Sequence, residues 1–450
     1  MKTIHEDKSL VLVIGAGPAG LFTADELAKQ DHHVILLNRD IRPGGLAEYG
    51  IYFAKHQVKA SLRNQFLKTL RSPNVTYYGN VEVGEGKDLP LDALRAMGFD
   101  AIVVAVGAQG TKWLGLPGEH LRGVYHAKDL IYYYNGLPPY SERTYTIGQR
   151  VALIGVGNVM ADIARWLARD LKVAEVVAVA RRGPAEVKFS PRELAYVGRN
   201  LDLAALDEEI ERVRSRMLAV GQDPEAAKAY ILSALRHSPE PVSDTRITFR
   251  FLSAPVEILD DGSGAVGGLR VEDTALTLEE GGRTRPKRLG TYHILPVDTV
   301  IFCIGDRVSE DFGLPVAWSS FVKHPHPRYP VDGVSFEAYD PEAGAPIEGV
   351  FLVGWAREAS KGQVGLARKD ARMCSRAVAA YLEDAGRDVS RAAEAREALK
   401  MALSRLDKPV IPKQDVFRLV EIEARKAKEC DEPGFRYISN REMLEALGIC

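Results

Sequence analysis

The chain has 450 residues, which is long enough for two or three domains with separate hydrophobic cores. Hydrophobic residues make up 46% and charged residues 27%, as in a soluble globular protein, and the formal net charge of −2 excludes an overall basic surface for nucleic acid. No apolar run approaches the roughly twenty residues of a membrane helix, and residues 1–10 lack the apolar core of a signal peptide, so we expect a cytoplasmic protein that binds neither nucleic acid nor membrane.

The first motif is a strand, a glycine turn and a helix. The apolar run Val11–Ile14 ends at Gly15, and Gly17, Pro18 and Gly20 follow in the pattern G-x-G-x-x-G. The first glycine permits a tight turn, the second lets the backbone approach a diphosphate, and the third lets helix and strand pack closely. Because the motif follows a strand and opens a helix, it predicts dinucleotide binding at the helix N-terminus.

The second strand, Val34–Leu37, ends at Asn38, about twenty positions after the glycines. Dinucleotide folds usually place an acidic residue there, which binds the ribose hydroxyls. An amide can also bind a hydroxyl, without the strength of a charge-assisted hydrogen bond. Asn38 is therefore predicted as a weaker ribose ligand.

A glycine-rich connection, Pro43–Ile51, follows; it contains Gly45 and suits close contact with a flat ring, although a plain loop has the same composition. His56 precedes a helix that we expect to run to Leu70, and a single histidine in a polar stretch is either a surface residue or a catalyst. Short strands are predicted next at Val75–Tyr78, Val81–Val83 and Phe99–Val106.

The first pattern returns at Gly155-Val156-Gly157-Asn158-Val159, between an apolar strand and a helix predicted from Met160 to Leu171. Met160 occupies the position of the third glycine, which is a relaxed form of the motif. Two such turns about 140 residues apart imply two nucleotide sites.

The next strand, Val173–Ala180, ends in Arg181 and Arg182 rather than in an acidic residue. Two guanidiniums suit a 2′-phosphate, so the pattern favours NADP over NAD; two solvated surface arginines are the alternative. Farther along, helices are predicted at 206–218 and 224–235, strands at 246–252, 268–272 and 298–304, and a polar hairpin or loop at 279–288.

Near the C-terminus, Gly354 and Trp355 end an apolar run, and Gly362-Gln363-Val364 opens a helix predicted to reach Leu382. The helix N-terminus could stabilise negative charge on a flavin ring, and Trp355 either stacks on that ring or fills core space. The four cysteines, Cys303, Cys374, Cys430 and Cys450, show no CxxC spacing, so no redox disulfide, iron–sulfur cluster or other metal site is expected and redox chemistry requires an organic cofactor.

Taken together, these motifs resemble the adrenodoxin-reductase-like ferredoxin–NADP reductases, which bind FAD and NADP on two Rossmann-type domains. The resemblance runs from Val11 to the C-terminus, and the small subunit of glutamate synthase is a more distant relative of the same layout. The segments that carry it, besides the two glycine motifs, are Gly79–Gly84, Tyr134–Pro138, Arg181–Pro184, Phe189–Leu194, Gly354-Trp355 and Arg441–Leu444.

The resemblance implies roles for individual residues. It places His56 and Glu193 near the nicotinamide and the flavin. For Glu193 the alternative role is only to position the nicotinamide amide. The residues at positions where the family contacts FAD are Ala19, Asn38, Leu46, Val83, Trp355, Gly362, Gln363 and Val364, and those where it contacts NADP are Val156, Gly157, Asn158, Val159, Arg181, Arg182, Glu193 and Gly362. The family usually has glutamate at Asn38 and Arg-Gly-Pro-Thr-Gly in the loop where this chain has Glu358-Ala-Ser-Lys-Gly362.

We therefore expect an α/β fold with two Rossmann-like three-layer domains: an FAD domain formed by residues 1–108 and 331–450, the latter with a C-terminal helical extension, and an inserted NADP domain at 109–330. The expected activity is electron transfer between NADPH and a ferredoxin-like carrier through FAD. Two alternatives are an NAD(P)H-oxidising flavin subunit of a larger complex and a slow flavin-binding redox sensor.

Overall fold

The computed structural model describes residues 9–385, 389–432 and 434–449. The chain divides into two compact units: the first contains Met1–Gly110, Tyr132–Glu142 and Asp306–Cys450, and the second contains Thr111–Ile131 and Arg143–Gly305. Each unit is built around its own sheet, which is parallel throughout in the second unit and has antiparallel edge strands in the first.

The elements have the following bounds. The strands are β1 Leu10–Ile14, β2 His33–Asn38, β3 Val75–Gly79, β4 Ala101–Val104, β5 Gly110–Thr111, β6 Val124–His126, β7 Arg150–Ile154, β8 Glu175–Val179, β9 Arg246–Arg250, β10 Ser253–Asp260, β11 Val266–Leu278, β12 Thr284–Leu295, β13 Thr299–Phe302, β14 Asp306–Arg307, β15 Val316–Ala317, β16 Ser320–Phe321, β17 Glu337–Asp340, β18 Ala345–Leu352 and β19 Ile411–Pro412. The helices are α1 Pro18–Lys29, α2 Leu46–Tyr49, α3 His56–Arg71, α4 Leu91–Ala96, α5 Ala127–Tyr134, α6 Asn158–Trp166, α7 Pro191–Leu194, α8 Leu203–Leu218, α9 Pro224–Leu232, α10 Val364–Ala385, α11 Val389–Ser404, α12 Lys413–Glu429 and α13 Asn440–Leu447. A π-helical turn at Leu167–Leu171 extends α6, and 3₁₀ turns lie at Tyr140–Glu142, Pro184–Glu186, Ala195–Asn200, Ser233–His237, Glu310–Phe312 and Gly354–Ala356.

The sheet of the first unit has the order β17-β18-β4-β1-β2-β3-β19, and its five inner strands are parallel. Side chains alternate between two cores: Val11 and Val13 join the core beneath α1, α3 and α10, whereas Leu10 and Leu12 join the core that contains residues of α4 and α11. Because the inner strands are buried on both faces, they read as continuous apolar runs in the sequence. The unit has three layers.

The sheet of the second unit has the order β6-β13-β7-β8-β9 and is parallel throughout. The antiparallel meander β10-β11-β12 covers one face, where Ile258, Leu269 and Val271 pack against Ile154 and Phe302. The predicted polar hairpin at 279–288 is the turn between β11 and β12 and the start of β12.

The segment Val81–Val83 was predicted as a strand, and that prediction is wrong. Val83 makes only an isolated bridge with Leu89. The positive φ of Asn80 (61°) turns the chain, and the backbone N–H of Glu82 binds the Asp88 side chain instead of a neighbouring strand.

The boundaries of the units differ from the expected limits at 108/109 and 330/331. The chain returns to the first unit at Asp306, because Phe312 and Phe321 belong to its core. Residues 132–142 also belong to the first unit, where Tyr132 and Leu137 pack against Tyr49. These contacts join residues that are far apart in sequence, so no local pattern announces them.

Candidate functional site

The first glycine turn connects β1 to α1. Gly15 has φ +105°, and a Cβ there would lie 2.5 Å from the carbonyl oxygen of Ala105. A Cβ on Gly20 would overlap the carbonyl oxygen of Gly15. Both positions therefore require glycine, for the turn and for close packing respectively. Gly17 precedes α1 without a side-chain cap, so the helix presents backbone N–H groups there.

A second glycine turn faces the first. Gly44 and Gly45 have φ +121° and +49°, and the Gly44 N–H donates to Ala16 O over 2.7 Å. A Cβ on Gly45 would lie 2.9 Å from Gly17 Cα and 3.7 Å from Pro18 Cδ. The structure thus brings Gly17, Pro18, Gly45 and the start of α2 together, with only glycine backbone between the two turns.

Asn38 lies where the sequence analysis placed it, at the end of β2, but its amide serves the protein. The residue is 6% exposed, its Oδ1 accepts the Ala16 N–H, and its Nδ2 donates to three oxygens: Asp40 O, Arg42 O and Tyr77 Oη. Since both amide protons already have acceptors, the side chain has no donor left for a ribose. The amide therefore braces the turn after β1, and its Oδ1, which accepts one N–H, can accept a second hydrogen bond. Asn38 as a weaker ribose ligand stays a prediction.

The third element of the first unit comes from the C-terminal part of the chain. Gly354 has φ +65°, and a Cβ there would lie 2.6 Å from Ala19 Cβ, so Gly354 lies directly beside α1. The Gly354 N–H donates to Asp370 Oδ2 over 2.7 Å, and Trp355 Nε1 donates to Lys361 O over 2.9 Å. These bonds fold the loop back on α10, which begins at Val364 after Gly362 and Gln363. No motif in the sequence singles out Asp370, whose role depends on a contact 16 positions away.

His56 is exposed at the start of α3. The position of a Cβ on Gly434 would be 3.0 Å from His56 Nδ1, so the C-terminal segment runs against the imidazole. One turn later, Lys59 is buried and its Nζ donates to Asn135 Oδ1 over 2.8 Å. Burial lowers the pKa of Lys59 to about 8, and the positive charge of nearby Arg63 acts in the same direction. The carboxylate of Glu48 opposes this shift.

Val83 is half-buried and lies two residues after Val81, whose N–H donates to Asn38 O. The expected flavin-side residues therefore converge from four stretches of the first unit, at the carboxyl ends of its parallel strands. This is the edge at which open α/β sheets bind ligands.

The second unit repeats the strand–glycine–helix arrangement between β7 and α6. Gly155 has φ +112°, and a Cβ there would lie 2.7 Å from Cys303 O, whereas a Cβ on Gly157 would meet no atom within 4 Å. Asn158 Oδ1 accepts the Ser190 N–H over 2.8 Å, and Val156 O accepts the Lys188 N–H over 2.8 Å. These bonds bring residues 156–159 beside the segment that leads to α7.

Glu193 lies on α7, in the same unit as this second turn, and Ser190 caps that short helix by accepting the Glu193 N–H. His56 belongs to the first unit. Met160, at the third position of the motif, is buried in the packing of α6.

The two arginines after β8 differ in their surroundings. Arg182 Nη1 binds Glu186 Oε1 over 2.7 Å, Thr284 Oγ1 over 2.8 Å and Thr284 O over 3.0 Å. The side chain of Arg181 is exposed, and its carbonyl accepts from Thr274 Oγ1. Arg182 thus ties β8 to β12, while Arg181 presents its guanidinium to solvent.

Cys303 and Cys374 are buried, and burial raises the pKa of both thiols, so they are inert. Cys430 is exposed, and Cys450 lies outside the described residues. Within the described ranges, no group of three or more His, Cys, Asp and Glu side chains could hold a metal ion, and no helix is long and apolar enough to cross a membrane.

Comparisons with known proteins agree with this geometry. The sequence signature of the pyridine nucleotide-disulphide oxidoreductase family matches residues 9–201. The chain is 30% identical over 393 residues to the NADPH-ferredoxin reductase FprA of Mycobacterium leprae, covering 80% of this chain and 81% of the relative. It is 27% identical over 476 residues to the mitochondrial NADPH:adrenodoxin oxidoreductase of Arabidopsis thaliana, covering 97% and 95%. The structure of Mycobacterium tuberculosis FprA in complex with NADPH is similar, with a TM-score of 0.77, 26% identity and coverage of 98% of this chain and 99% of that one.

Proposed function

The chain belongs to the adrenodoxin-reductase-like ferredoxin–NADP reductases, and we propose on this basis that it is an FAD-dependent oxidoreductase that passes electrons between NADPH and a one-electron carrier protein of the ferredoxin type. The observation that carries the proposal is the pair of strand–glycine-turn–helix elements, one in each unit. Two such turns provide for two dinucleotides, as hydride transfer from NADPH to a flavin requires.

We assign FAD to the first unit because its residues fit a dinucleotide diphosphate. Gly17 and Gly45 face each other as bare backbone at the N-terminus of α1, where a side chain on Gly45 would collide with Gly17. Backbone N–H groups and the positive end of a helix dipole favour a phosphate there. The other residues proposed to hold FAD are Gly15, Pro18, Ala19, Gly20, Leu46, Val83, Gly354, Trp355, Gly362, Gln363 and Val364.

We assign NADP to the second unit. The space in front of Gly157 suits a diphosphate at the start of α6, and Arg181 offers an exposed guanidinium at the end of β8 for the 2′-phosphate. Arg182 supports the position of Arg181 by fixing the carboxyl end of β8 against β12. Gly155, Val156, Asn158 and Val159 form the turn itself.

Bound FAD would supply the chemistry by accepting a hydride and releasing electrons one at a time. The protein's part is to bind both dinucleotides, orient them and exclude water. We propose on the family resemblance that His56 and Glu193 lie beside the reacting rings, with Glu193 positioning the nicotinamide.

The test is an anaerobic titration of the purified protein with NADPH and, separately, with NADH, followed by flavin absorbance and timed by stopped flow. Fast bleaching by NADPH alone, with subsequent reduction of a [2Fe–2S] ferredoxin, supports the proposal. Equal bleaching by NADH would remove the argument from Arg181 and favour an NAD(P)H-oxidising subunit of a larger complex. Protein that carries FAD but is bleached by neither nucleotide would contradict the oxidoreductase function.

A further inference from the structure

In the second unit, the segment that follows β8 returns across the glycine turn between β7 and α6. Its Lys188 forms a parallel bridge with Gly157, and the Lys188 N–H donates to Val156 O over 2.8 Å. Two residues later, the Ser190 N–H donates to Asn158 Oδ1 over 2.8 Å. The backbone of Lys188 is therefore fixed directly beside the second glycine of the motif.

The neighbouring Phe189 anchors this segment in the core of the second unit. Its side chain is 1% exposed and packs against Phe249 with ring centroids 6.0 Å apart, and its carbonyl oxygen accepts from the Tyr230 hydroxyl over 3.2 Å. Successive side chains of an extended segment point to opposite sides. The side chain of Lys188 accordingly leaves the core, and it is exposed.

The Lys188 side chain and the open space in front of Gly157 lie on the same side of the bridge. Residues paired across a bridge project to the same side of the two strands, and a Cβ on Gly157 would meet no atom within 4 Å. In this motif the second glycine is the position at which the backbone approaches the diphosphate. Paired strands lie about 4.8 Å apart, and a lysine ammonium is carried on a flexible four-carbon stem, so it can reach a phosphate there.

The first unit has a glycine at the corresponding place. There the Gly44 N–H donates to Ala16 O over 2.7 Å, as the Lys188 N–H does to Val156 O. Ala16 and Val156 are the second residues of the two glycine motifs. The same hydrogen bond thus forms without any side chain at this position, so the fold does not require the lysine.

The charges around Lys188 favour an anion. The segment 181–193 has four cations and two carboxylates, which are Arg181, Arg182, Lys188, Arg192, Glu186 and Glu193. The elements hydrogen-bonded to this segment do not offset the surplus. Counting Lys and Arg against Asp and Glu, α6 and α9 each carry one of each sign, β9 and β10 together carry two of each, and the hairpin of β11 and β12 carries five cations and four carboxylates.

The place of Lys188 beside the N-terminus of α6 also points to an anionic ligand. The N-cap residue of α6 is Gly157, and no side chain caps the helix. A cation near the positive end of a helix dipole is unfavourable, whereas an anion there is favourable. Within the described ranges, no carboxylate forms an ion pair with the Lys188 ammonium to offset this cost. A diphosphate would bind both the N–H groups of the helix and the ammonium.

We propose that Lys188 is a ligand of the nucleotide diphosphate in the second unit; this inference rests on the proposed function, which assigns NADP to that unit. Arg181 and Lys188 then have separate roles. The guanidinium of Arg181 distinguishes NADP from NAD through the 2′-phosphate, whereas the ammonium of Lys188 binds a group that both nucleotides contain. Lys188 therefore sets the affinity for either nucleotide and does not affect the choice between them.

The experiment measures binding to the oxidised, FAD-loaded protein by calorimetric titration, which requires no turnover. The probes are NADP⁺, NAD⁺ and 2′-AMP, which has the 2′-phosphate but no diphosphate. Lys188→Met removes the charge and keeps an unbranched side chain, and Lys188→Arg restores a cation. Arg169→Met is the matched control for loss of one exposed cation, because Arg169 lies in the π-helical turn at the opposite end of α6.

We expect Lys188→Met to raise the dissociation constants of NADP⁺ and NAD⁺ by the same factor, about tenfold, and to leave that of 2′-AMP unchanged. Lys188→Arg should recover most of the affinity, and Arg169→Met should match the wild type. The FAD content and melting temperature of Lys188→Met should equal those of the wild type, because the bonds of Lys188 to the turn use only its backbone.

Unchanged dissociation constants for both nucleotides in Lys188→Met would overturn the inference. A loss limited to NADP⁺ and 2′-AMP would overturn it as well, because it would assign Lys188 to the 2′-phosphate. A wild type that binds none of the three probes would refute the proposed function itself, and the inference with it.

Discussion

A buried ion pair joins the C-terminal helices to the segment that leads into Gly44 and Gly45 in the first unit. Arg42 Nη2 pairs with Glu423 Oε1 and donates to Tyr437 O over 2.9 Å. The side chains of Arg42 and Glu423 are 8% and 1% exposed. Arg42 O in turn accepts from Asn38, so the pair supports the chain just before Gly44 and Gly45.

Removing both partners should cost less than the sum of the two single removals. Glu423→Leu leaves the buried guanidinium of Arg42 without its carboxylate, and it also deprives Arg436, whose Nε lies 3.5 Å from Glu423 Oε2. Breaking a buried pair in this way costs about 3–5 kcal/mol. For a domain of this size, that corresponds to a fall in melting temperature of roughly 6–20 °C.

The assay is a double-mutant cycle in the free energy of unfolding, with Arg42→Met, Glu423→Leu and the double variant, and with FAD retention measured in parallel. We expect the double variant to lose less stability than the sum of the single losses by about 1–3 kcal/mol, because the Arg42→Met and Glu423→Leu replacements together leave neither member of the pair as an unpaired buried charge. Glu421→Gln, on the exposed face of the same helix, should have no effect. Additive single losses would refute the reasoning.

Three further predictions follow from the geometry. Gly20→Ala should yield protein that purifies without FAD and is about 1–3 kcal/mol less stable, because its Cβ would overlap Gly15 O; absorbance at 450 nm and urea unfolding measure this. Lys59→Met should remove a pH dependence of stability. Because the pKa of Lys59 is about 8 in the folded protein and 10.5 in the unfolded chain, the unfolded chain binds more protons between those two pH values. From pH 8 to 10.5 the free energy of unfolding of the wild type should therefore rise by about 3 kcal/mol relative to the variant, as measured by denaturant titrations. Arg181→Gln should weaken NADPH binding about 10–100-fold and leave NADH binding unchanged. Arg182→Gln should chiefly lower the melting temperature. Calorimetric titration of each variant with both nucleotides distinguishes the roles of the two arginines.

The two strand–glycine-turn–helix elements could be predicted because their signals are local. A buried parallel strand appears as an apolar run, and the glycines that follow are required by backbone angles and by atoms nearby in the fold. Gly15 and Gly155 occupy equivalent places and have φ of +105° and +112°. The capped final helix was likewise predictable, since Ser439 and Glu442 form a capping box within four residues.

Features that depend on distant parts of the chain left no such signal. Glu423 is 381 positions from Arg42, and each looks in sequence like an ordinary surface charge. The placement of residues 132–142 in the first unit depends on Tyr132 and Leu137 packing against Tyr49, which helical periodicity alone does not reveal.

Side-chain ligands are harder to predict from sequence than glycine turns, for a physical reason. A glycine performs its role through the absence of a Cβ, so its backbone position settles what it does. An amide or a guanidinium can bind several partners, and the protein competes with the ligand for it. Asn38 binds four protein atoms, and Arg182 is held by Glu186 and Thr284, although both lie at the ends of strands where ligands are expected. Arg181 differs because its guanidinium is exposed at the same strand end. We therefore propose that the discrimination between NADPH and NADH depends on Arg181, with Arg182 as its structural support.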